Sequence, residues 1–199
     1  MREFYPLKMR KSEMKNNGVT LTELLVVIAI VGILVVALGF SFQDWIGRYK
    51  VEAQTKQIYF DLMDARARAM QFNRIYLADF PTTTSYRVGE DTNESGAIDA
   101  GEPLPTFPKT SEYVLNVFER DDATLITAPR IITNVRINFD KRGLITSTGA
   151  AVLFNPATPT TGIISLTSTV GPDYDCIVIS STRINIGRWN AATTNCDAN

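Results

Sequence analysis

The sequence predicts an α+β fold in which a long N-terminal α-helix, with a transmembrane half and an amphipathic half, packs on a C-terminal antiparallel β-sheet domain. The uncharged apolar stretch Leu24–Phe40 has 17 residues, about enough for one bilayer crossing. Apolar residues then recur every three or four positions, as on one face of a helix. From Tyr76 onward apolar and polar residues alternate between turn residues, which indicates strands. A helix followed by consecutive strands is an α+β arrangement.

The helix is expected to run through residues 19–42 and to continue as an amphipathic helix through residues 43–74. In the second part an apolar stripe follows the helical period, with charged residues on the other faces. We expect this stripe to pack on the globular domain. Its members are Ile58, Leu62, Ala65, Ala69 and Phe72.

Residues 75–199 are predicted to form one β-rich domain. Val135, Ile137 and Phe139 alternate with Arg136 and Asn138, which is the period of a half-buried strand. The candidate strands are Ser85–Val88, Tyr113–Glu119, Ile131–Phe139, Ala151–Phe154, Ile163–Thr167, Cys176–Ser180 and Arg183–Gly187.

Composition argues against catalysis and against bulk electrostatic binding of nucleic acid. The chain has no histidine and a net charge of −1. Since residues 1–18 hold five basic and two acidic side chains, the rest of the chain carries about −4. Without histidine, most general-base and zinc-site hypotheses are excluded, and no nucleophile or nucleotide-binding motif is present. An anchored periplasmic enzyme would need a site that the sequence does not offer, so we expect a non-enzyme.

Glu23 is the one charge at the start of the apolar run, five residues after Gly18. A carboxylate in a membrane segment is costly and indicates a functional partner. If the chain were cut between Gly18 and Val19, the new α-amino group would lie about one helical turn from Glu23. That amine, from the same chain or a neighbouring one, would neutralise the acid.

The segment Gly18-Val19-Thr20-Leu21-Thr22-Glu23 resembles the class III signal of type IV pilins and type II secretion pseudopilins. The resemblance implies that residues 1–18 are a leader, that prepilin peptidase cuts after Gly18, and that the new N-terminus at Val19 is methylated. Val19 departs from the family, which most often has Phe there. The start codon stays open among Met1, Met9 and Met14.

The resemblance also implies a location and partners. The chain would cross the bacterial inner membrane once, with its C-terminal domain periplasmic or extracellular, and residues 19–42 would then enter a filament core. Glu23 would set the assembly register. The implied partners are other pilins or pseudopilins, prepilin peptidase, the inner-membrane assembly platform and, before assembly, membrane lipid.

The C-terminal half is similar to the GspH/FimT group of minor pilins. That group contains structural subunits of type IV pili and of type II secretion pseudopili, and the sequence leaves the choice between the two systems open. The matching segments are Ile137–Phe139, Gly143, Ile163–Leu166, Ile177–Ile179, Arg183 and Gly187-Arg188.

Residues 91–102 match the order of oxygen ligands in a twelve-residue calcium loop, with Gly96 at its sharp turn. The flanks are strand-like, so the loop would join two strands rather than two helices. A solvated acidic turn is the alternative. The predicted Ca²⁺ ligands are Asp91, Asn93, Ser95, Ala97 through its carbonyl, Asp99 and Glu102.

Cys176 and Cys196 are the two cysteines of the chain. In an oxidising compartment a disulfide between them is expected, with two unpaired thiols as the alternative. The same region offers a second functional hypothesis. FimT-type proteins include DNA receptors with a basic C-terminal loop, and Arg183, Arg188 and Trp189 could contact phosphates and bases. Two arginines in an acidic chain are a weak electrostatic anchor, so DNA binding is the less favoured hypothesis.

Overall fold

The computed structural model describes residues 18–96, 99, 101–102, 109–121, 135–149 and 160–198. The chain divides into two compact units, Met1–Gln43 and Asp44–Asn199. The helix α1, Leu21–Phe72, contributes residues to both units. The leader up to residue 17 and the candidate strand Ala151–Phe154 lie outside the described residues.

The helix α1 ends where the backbone adopts a left-handed conformation at Asn73, with φ of 53°. The peptide N–H of Arg74 reaches back to the carbonyl oxygen of Ala69 at 3.2 Å, which is the six-to-one bond of a Schellman motif. Asparagine tolerates this backbone conformation better than most residues. The end of the helix is therefore encoded locally.

Within the part of the chain that the structure describes, no helix is both long enough and apolar enough to cross a membrane.

The predicted apolar stripe of α1 is buried at four of its five positions, because Ile58, Leu62, Ala65 and Ala69 are at most 1% exposed. The prediction for Phe72 is wrong, since its side chain is 53% exposed. Phe72 is the last helical residue, and the turn at Asn73 carries the chain away before the side chain can be covered. Toward its start the buried stripe continues through two unpredicted residues, Val51 and Thr55.

In the part of the chain that the structure describes, the strands form two five-stranded sheets in which every neighbouring pair is antiparallel. Sheet 1 has the order β3-β2-β1-β5-β6 and sheet 2 the order β10-β9-β8-β7-β4. Together with α1 they confirm the predicted α+β fold. The strands are β1 Ile75–Thr82, β2 Ser85–Asp91, β3 Lys109–Thr110, β4 Leu115–Asp121, β5 Val135–Phe139, β6 Ile145–Gly149, β7 Thr160–Leu166, β8 Cys176–Ile179, β9 Ile184–Asn190 and β10 Asn195–Ala198.

Six of the seven candidate strands coincide with observed ones, with boundaries shifted by a few residues, while β1, β3, β6 and β10 were not predicted. The omission of β1 has a physical cause. Its Asp79 and its penultimate residue, Pro81, both disfavour a strand. Nevertheless β1 lies at the centre of sheet 1, and Asp79 is only 2% exposed because Arg87 on β2 donates to it at 2.6 and 2.9 Å.

The two sheets share one core with the second half of α1. Backbone bonds also join them directly: Leu115 N–H donates to Thr83 O at 2.7 Å, and Ile145 N–H donates to Ser181 O at 2.8 Å. On the helix, the carboxylate of Asp61 receives the hydroxyl of buried Tyr86 and the ammonium group of Lys109, both at 2.7 Å. These contacts hold β2 and β3 against α1.

Candidate functional site

The N-terminal segment places Gly18, Val19 and Thr20 just outside the helix, which begins at Leu21. The hydroxyl oxygen of Thr20 accepts the peptide N–H of Glu23 at 3.2 Å, and the carbonyl oxygen of Thr20 accepts that of Leu24 at 3.1 Å. Thr20 is therefore the N-cap of α1. Our reading of the sequence missed this role, although Thr-x-x-Glu is the spacing of a capping box.

The side chain of Glu23 lies in the first turn of α1 and is exposed. An acid at this position interacts favourably with the partial positive charge of a helix N-terminus. The space around Gly18 is open, because a Cβ placed there would meet no atom within 4 Å. Packing in the described part of the chain therefore does not require glycine at this position.

The side chains of residues 21–36 are all exposed in the isolated chain, although nearly all of them are apolar. Leu21, Ile33 and Val36 are 78, 70 and 65% exposed. A helix that is apolar around its whole circumference is normally buried, in a membrane or against other protein. The described part of the chain does not cover this segment.

The acidic loop follows β2 and brings several of its predicted ligands together. Asp99 accepts hydrogen bonds from the amide of Asn93 and the hydroxyl of Ser95, both at 2.8 Å. Asp91 is 2% exposed and accepts the peptide N–H groups of Ser95 and Gly96 at 3.0 and 2.8 Å.

Glu102 closes the loop from its other end. Its two carboxylate oxygens accept the peptide N–H groups of Thr92 and Asp99, each at 2.9 Å. Gly96 has a φ of 75°, which favours glycine and fits the sharp turn that the sequence predicted. A second contact ties the loop to the β5–β6 turn, because Lys141 Nζ lies 2.6 Å from the carboxylate of Glu94.

The hydrogen bonds of the loop lower the pKa values of two of its carboxylates, Asp99 and Glu102. Donors on Asn93 and Ser95 lower the pKa of Asp99 below its usual value. Partial burial alone would raise the pKa of Glu102, but the peptide N–H groups of Asp99, Thr92 and Asn93 outweigh it and lower that pKa. Both carboxylates are therefore ionised near neutral pH.

In the part of the chain that the structure describes, no group of three or more His, Cys, Asp or Glu side chains is arranged to hold a metal ion. One of the six predicted ligands, the carbonyl of Ala97, lies outside the described residues. The predicted ligands that are described would all bind a metal through oxygen atoms, which is the chemistry that Ca²⁺ prefers. These ligand types fit calcium, while the carboxylates are held by hydrogen bonds within the loop.

The predicted disulfide between Cys176 and Cys196 is confirmed, with 6.0 Å between the two Cα atoms. Cys176 is on β8 and Cys196 on β10, with β9 between them in the sheet. Flat neighbouring strands are about 4.8 Å apart, so two strands on the spacing would be near 10 Å. The shorter distance shows that β10 curls over the outer face of sheet 2.

The three candidate DNA contacts do not share one exposed surface. Arg183 and Arg188 are exposed, and Arg188 stands opposite Asp197 in the β9–β10 pair. Trp189 follows Arg188 on a strand and so points to the other face of the sheet. There its ring stacks on Phe118 with 4.6 Å between ring centroids, beside the disulfide. Trp189 is thus used in packing.

Comparison with known proteins gives one family match. Residues 14–39 match the model of the prokaryotic N-terminal methylation motif. The match covers Gly18, Glu23 and most of the apolar segment, and it supports a type IV pilin-like protein that prepilin peptidase processes. No curated protein matches the chain, and no solved structure matches it.

Proposed function

We propose that this protein is a minor pilin or pseudopilin of the GspH/FimT type, a structural subunit that prepilin peptidase cuts after Gly18 and that assembles into a filament through its N-terminal helix. The observation that carries the proposal is that the matched motif and the start of the exposed apolar helix lie at the same place in the chain. The methylation motif at residues 14–39 spans the point where Gly18 and Val19 precede a helix with exposed apolar side chains on all sides.

The open space at Gly18 supports this proposal. Glycine is commonly kept where the backbone must adopt an unusual conformation or approach another group closely. At Gly18 no described atom comes within 4 Å of a Cβ position, so packing of the described residues gives no reason for glycine there, and the proposal assigns that reason to recognition by the peptidase.

The proposed location follows from the same features. Before assembly the apolar helix anchors the chain in the bacterial inner membrane, with lipid around it, and the β-domain lies on the periplasmic or extracellular side. The disulfide Cys176–Cys196 fits an oxidising compartment. On leaving the membrane, the helix exchanges lipid for other pilins or pseudopilins at the assembly platform. Glu23 neutralises an N-terminal amine there.

The experiment is a chromosomal deletion complemented with tagged variants. Surface pili, DNA uptake and export of secreted proteins are scored, and sheared filaments are probed for the tag. We expect wild type and Asp44→Ala to enter filaments and Glu23→Ala to be cut but absent from them; Asp44 is an exposed acid on the same helix and serves as the control. Entry of Glu23→Ala at the wild-type level would contradict the assembly role.

The deletion strain itself distinguishes the two systems. Lost pili indicate a type IV pilus, and secreted proteins trapped in the periplasm indicate a type II secretion pseudopilus.

We also propose that the loop 91–102 binds Ca²⁺. The supporting observation is that three of the predicted ligand side chains already meet, because the amide nitrogen of Asn93 and the hydroxyl of Ser95 each donate to the carboxylate of Asp99 at 2.8 Å. A bound cation would replace these hydrogen bonds and draw in Asp91 and Glu102. Extracytoplasmic calcium sites bind at about 10⁻⁴–10⁻³ M.

Calorimetric titration of the full chain in detergent with CaCl₂ tests this second proposal. We expect binding in wild type, loss in the double variant Asp99→Asn/Glu102→Gln, and no change in Glu112→Gln, whose carboxylate is 70% exposed, pairs with Lys50 and lies outside the loop. The absence of binding heat and of any calcium-dependent rise in melting temperature in wild type would rule it out.

A further inference from the structure

We infer that Thr20 is a positioning residue for the processing reaction, because its hydroxyl group keeps the Gly18–Val19 bond outside the helix. The inference rests on the proposed function, since it concerns the bond that prepilin peptidase would cut. Thr20 lies two residues after Gly18, and its hydroxyl accepts the peptide N–H of Glu23 at 3.2 Å.

The hydrogen bond from Glu23 decides where the helix starts. If α1 extended backward by regular i to i−4 bonding, the peptide N–H of Glu23 would donate to the carbonyl oxygen of Val19. In the structure that N–H donates to the hydroxyl of Thr20 instead. The capped helix and the longer helix therefore compete for one donor.

The next bond of a longer helix would involve the reacting group itself. The peptide N–H of Thr22 would donate to the carbonyl oxygen of Gly18. That carbonyl is the electrophile in hydrolysis, in which one water adds across the Gly18–Val19 bond and leaves a carboxylate on Gly18 and an amine on Val19. A helical hydrogen bond and helical geometry at Gly18 would withdraw this carbonyl from the peptidase.

The surroundings make backward extension the relevant alternative. In an apolar environment, unsatisfied peptide N–H groups at a helix start are costly and take any available acceptor. Without the hydroxyl at Thr20, backward extension of the helix would offer the carbonyl oxygens of Val19 and Gly18 as acceptors. Thr20 thus supplies a local acceptor that fixes the start of the helix at Leu21, so that the bond to be cut lies before the helix.

Cleavage of the full-length chain by prepilin peptidase in detergent micelles tests the inference. We compare wild type, Thr20→Ala, Thr20→Ser and the control Asp44→Ala, whose exposed side chain lies on α1 outside the matched motif. We expect Thr20→Ala to be cut about fivefold more slowly, the factor that matches the usual cost of losing a threonine N-cap. Thr20→Ser keeps the hydroxyl and Asp44→Ala leaves the start of the helix unchanged, so both are expected near the wild-type rate.

A second measurement separates positioning from direct recognition of the side chain. Backbone chemical shifts of residues 18–23 are expected to show helix reaching Val19 in Thr20→Ala but not in Thr20→Ser. Equal cutting of Thr20→Ala and wild type would overturn the inference alone, as would a Thr20→Ser variant as slow as Thr20→Ala. A wild-type chain that stays uncut would contradict the proposed function as well.

Discussion

Gly187 on β9 lies against β10 so closely that a Cβ at this position would collide with the carbonyl oxygen of Asp197 and stand 2.8 Å from the Cα atom of Ala198. The curl of β10 over sheet 2 brings these backbone atoms together, and the disulfide at Cys196 holds the curl in place. Glycine at this position is therefore a requirement of folding, in contrast to Gly18.

Replacement of Gly187 by alanine is expected to destabilise the β-domain. Because the clash is with backbone, β10 must shift, and we expect the free energy of unfolding to fall by about 2 kcal/mol or more. Urea unfolding of the full chain in detergent measures this. Gly171→Ala is the control, since its nearest contact would be an ordinary 3.6 Å from Arg188. Equal stabilities of the two variants would contradict the close approach.

Removal of the disulfide is expected to loosen β10. The two cysteines are 20 residues apart, a loop for which chain entropy gives about 3 kcal/mol. The double variant Cys176→Ser/Cys196→Ser should therefore lose about this much stability. Amide hydrogen exchange should show faster exchange in β10 than in sheet 1. Uniform exchange in all strands would argue against a local role.

Gly143 in the β5–β6 turn is expected to resist substitution because of its backbone. Its φ is 76°, and a Cβ would stand 2.7 Å from the sulfur of Met70 on α1. We expect Gly143→Ala to cost about 1–2 kcal/mol of unfolding free energy, mainly from the left-handed backbone conformation. The double variant Gly143→Ala/Met70→Ala relieves the contact but not the conformation. We therefore expect the double variant to be less stable than Met70→Ala by nearly the same amount as Gly143→Ala is less stable than wild type. Equal stabilities of the double variant and Met70→Ala would assign the cost to crowding instead.

The stability of the β-domain is expected to depend on pH through the ionisation of Asp175. Burial raises the pKa of this carboxyl, although the peptide N–H of Trp189 and the charge of Arg188 lower it in part. A raised pKa in the folded state means that the contribution to stability is fully present below the unfolded value, near 3.8, and is lost as the pH rises through the folded value.

The variant Asp175→Asn isolates this effect because the other titrating groups are common to both proteins. Its amide oxygen can still accept the Trp189 N–H group that Asp175 accepts at 2.5 Å. We expect wild type to lose stability relative to the variant between about pH 4 and pH 7. Melting temperatures measured across this range check the prediction, and parallel pH profiles would refute it.

Much of this molecule could be predicted from local patterns. The helix and four positions of its buried stripe follow from spacing and residue type in short segments, and the disulfide was expected because the chain has two cysteines and an oxidising compartment was predicted. Thr20 could also have been found in this way from the Thr-x-x-Glu spacing. Such features depend on neighbours in the chain, so a single sequence is enough to reveal them.

The remainder depends on contacts between distant residues. Asp79 was not predicted in a strand because a buried carboxylate needs partners, which Arg87 and Arg136 supply from neighbouring strands. Trp189 was predicted as a base-stacking residue because the sequence does not reveal that Phe118, far away in the chain, stacks on its ring. Sheet order and the curl of β10 likewise depend on pairings that no local pattern states.

The most direct test of the account is mass spectrometry of the N-terminus of the full-length chain, purified from cells with and without prepilin peptidase. Gly18→Val and Gly32→Ala are measured beside wild type, since neither position has a described atom within 4 Å of its Cβ site. We predict that wild type and Gly32→Ala begin at a methylated Val19 only when the peptidase is present, and that Gly18→Val keeps its leader. A wild-type chain that retains residues 1–18 in the presence of the enzyme would contradict the account.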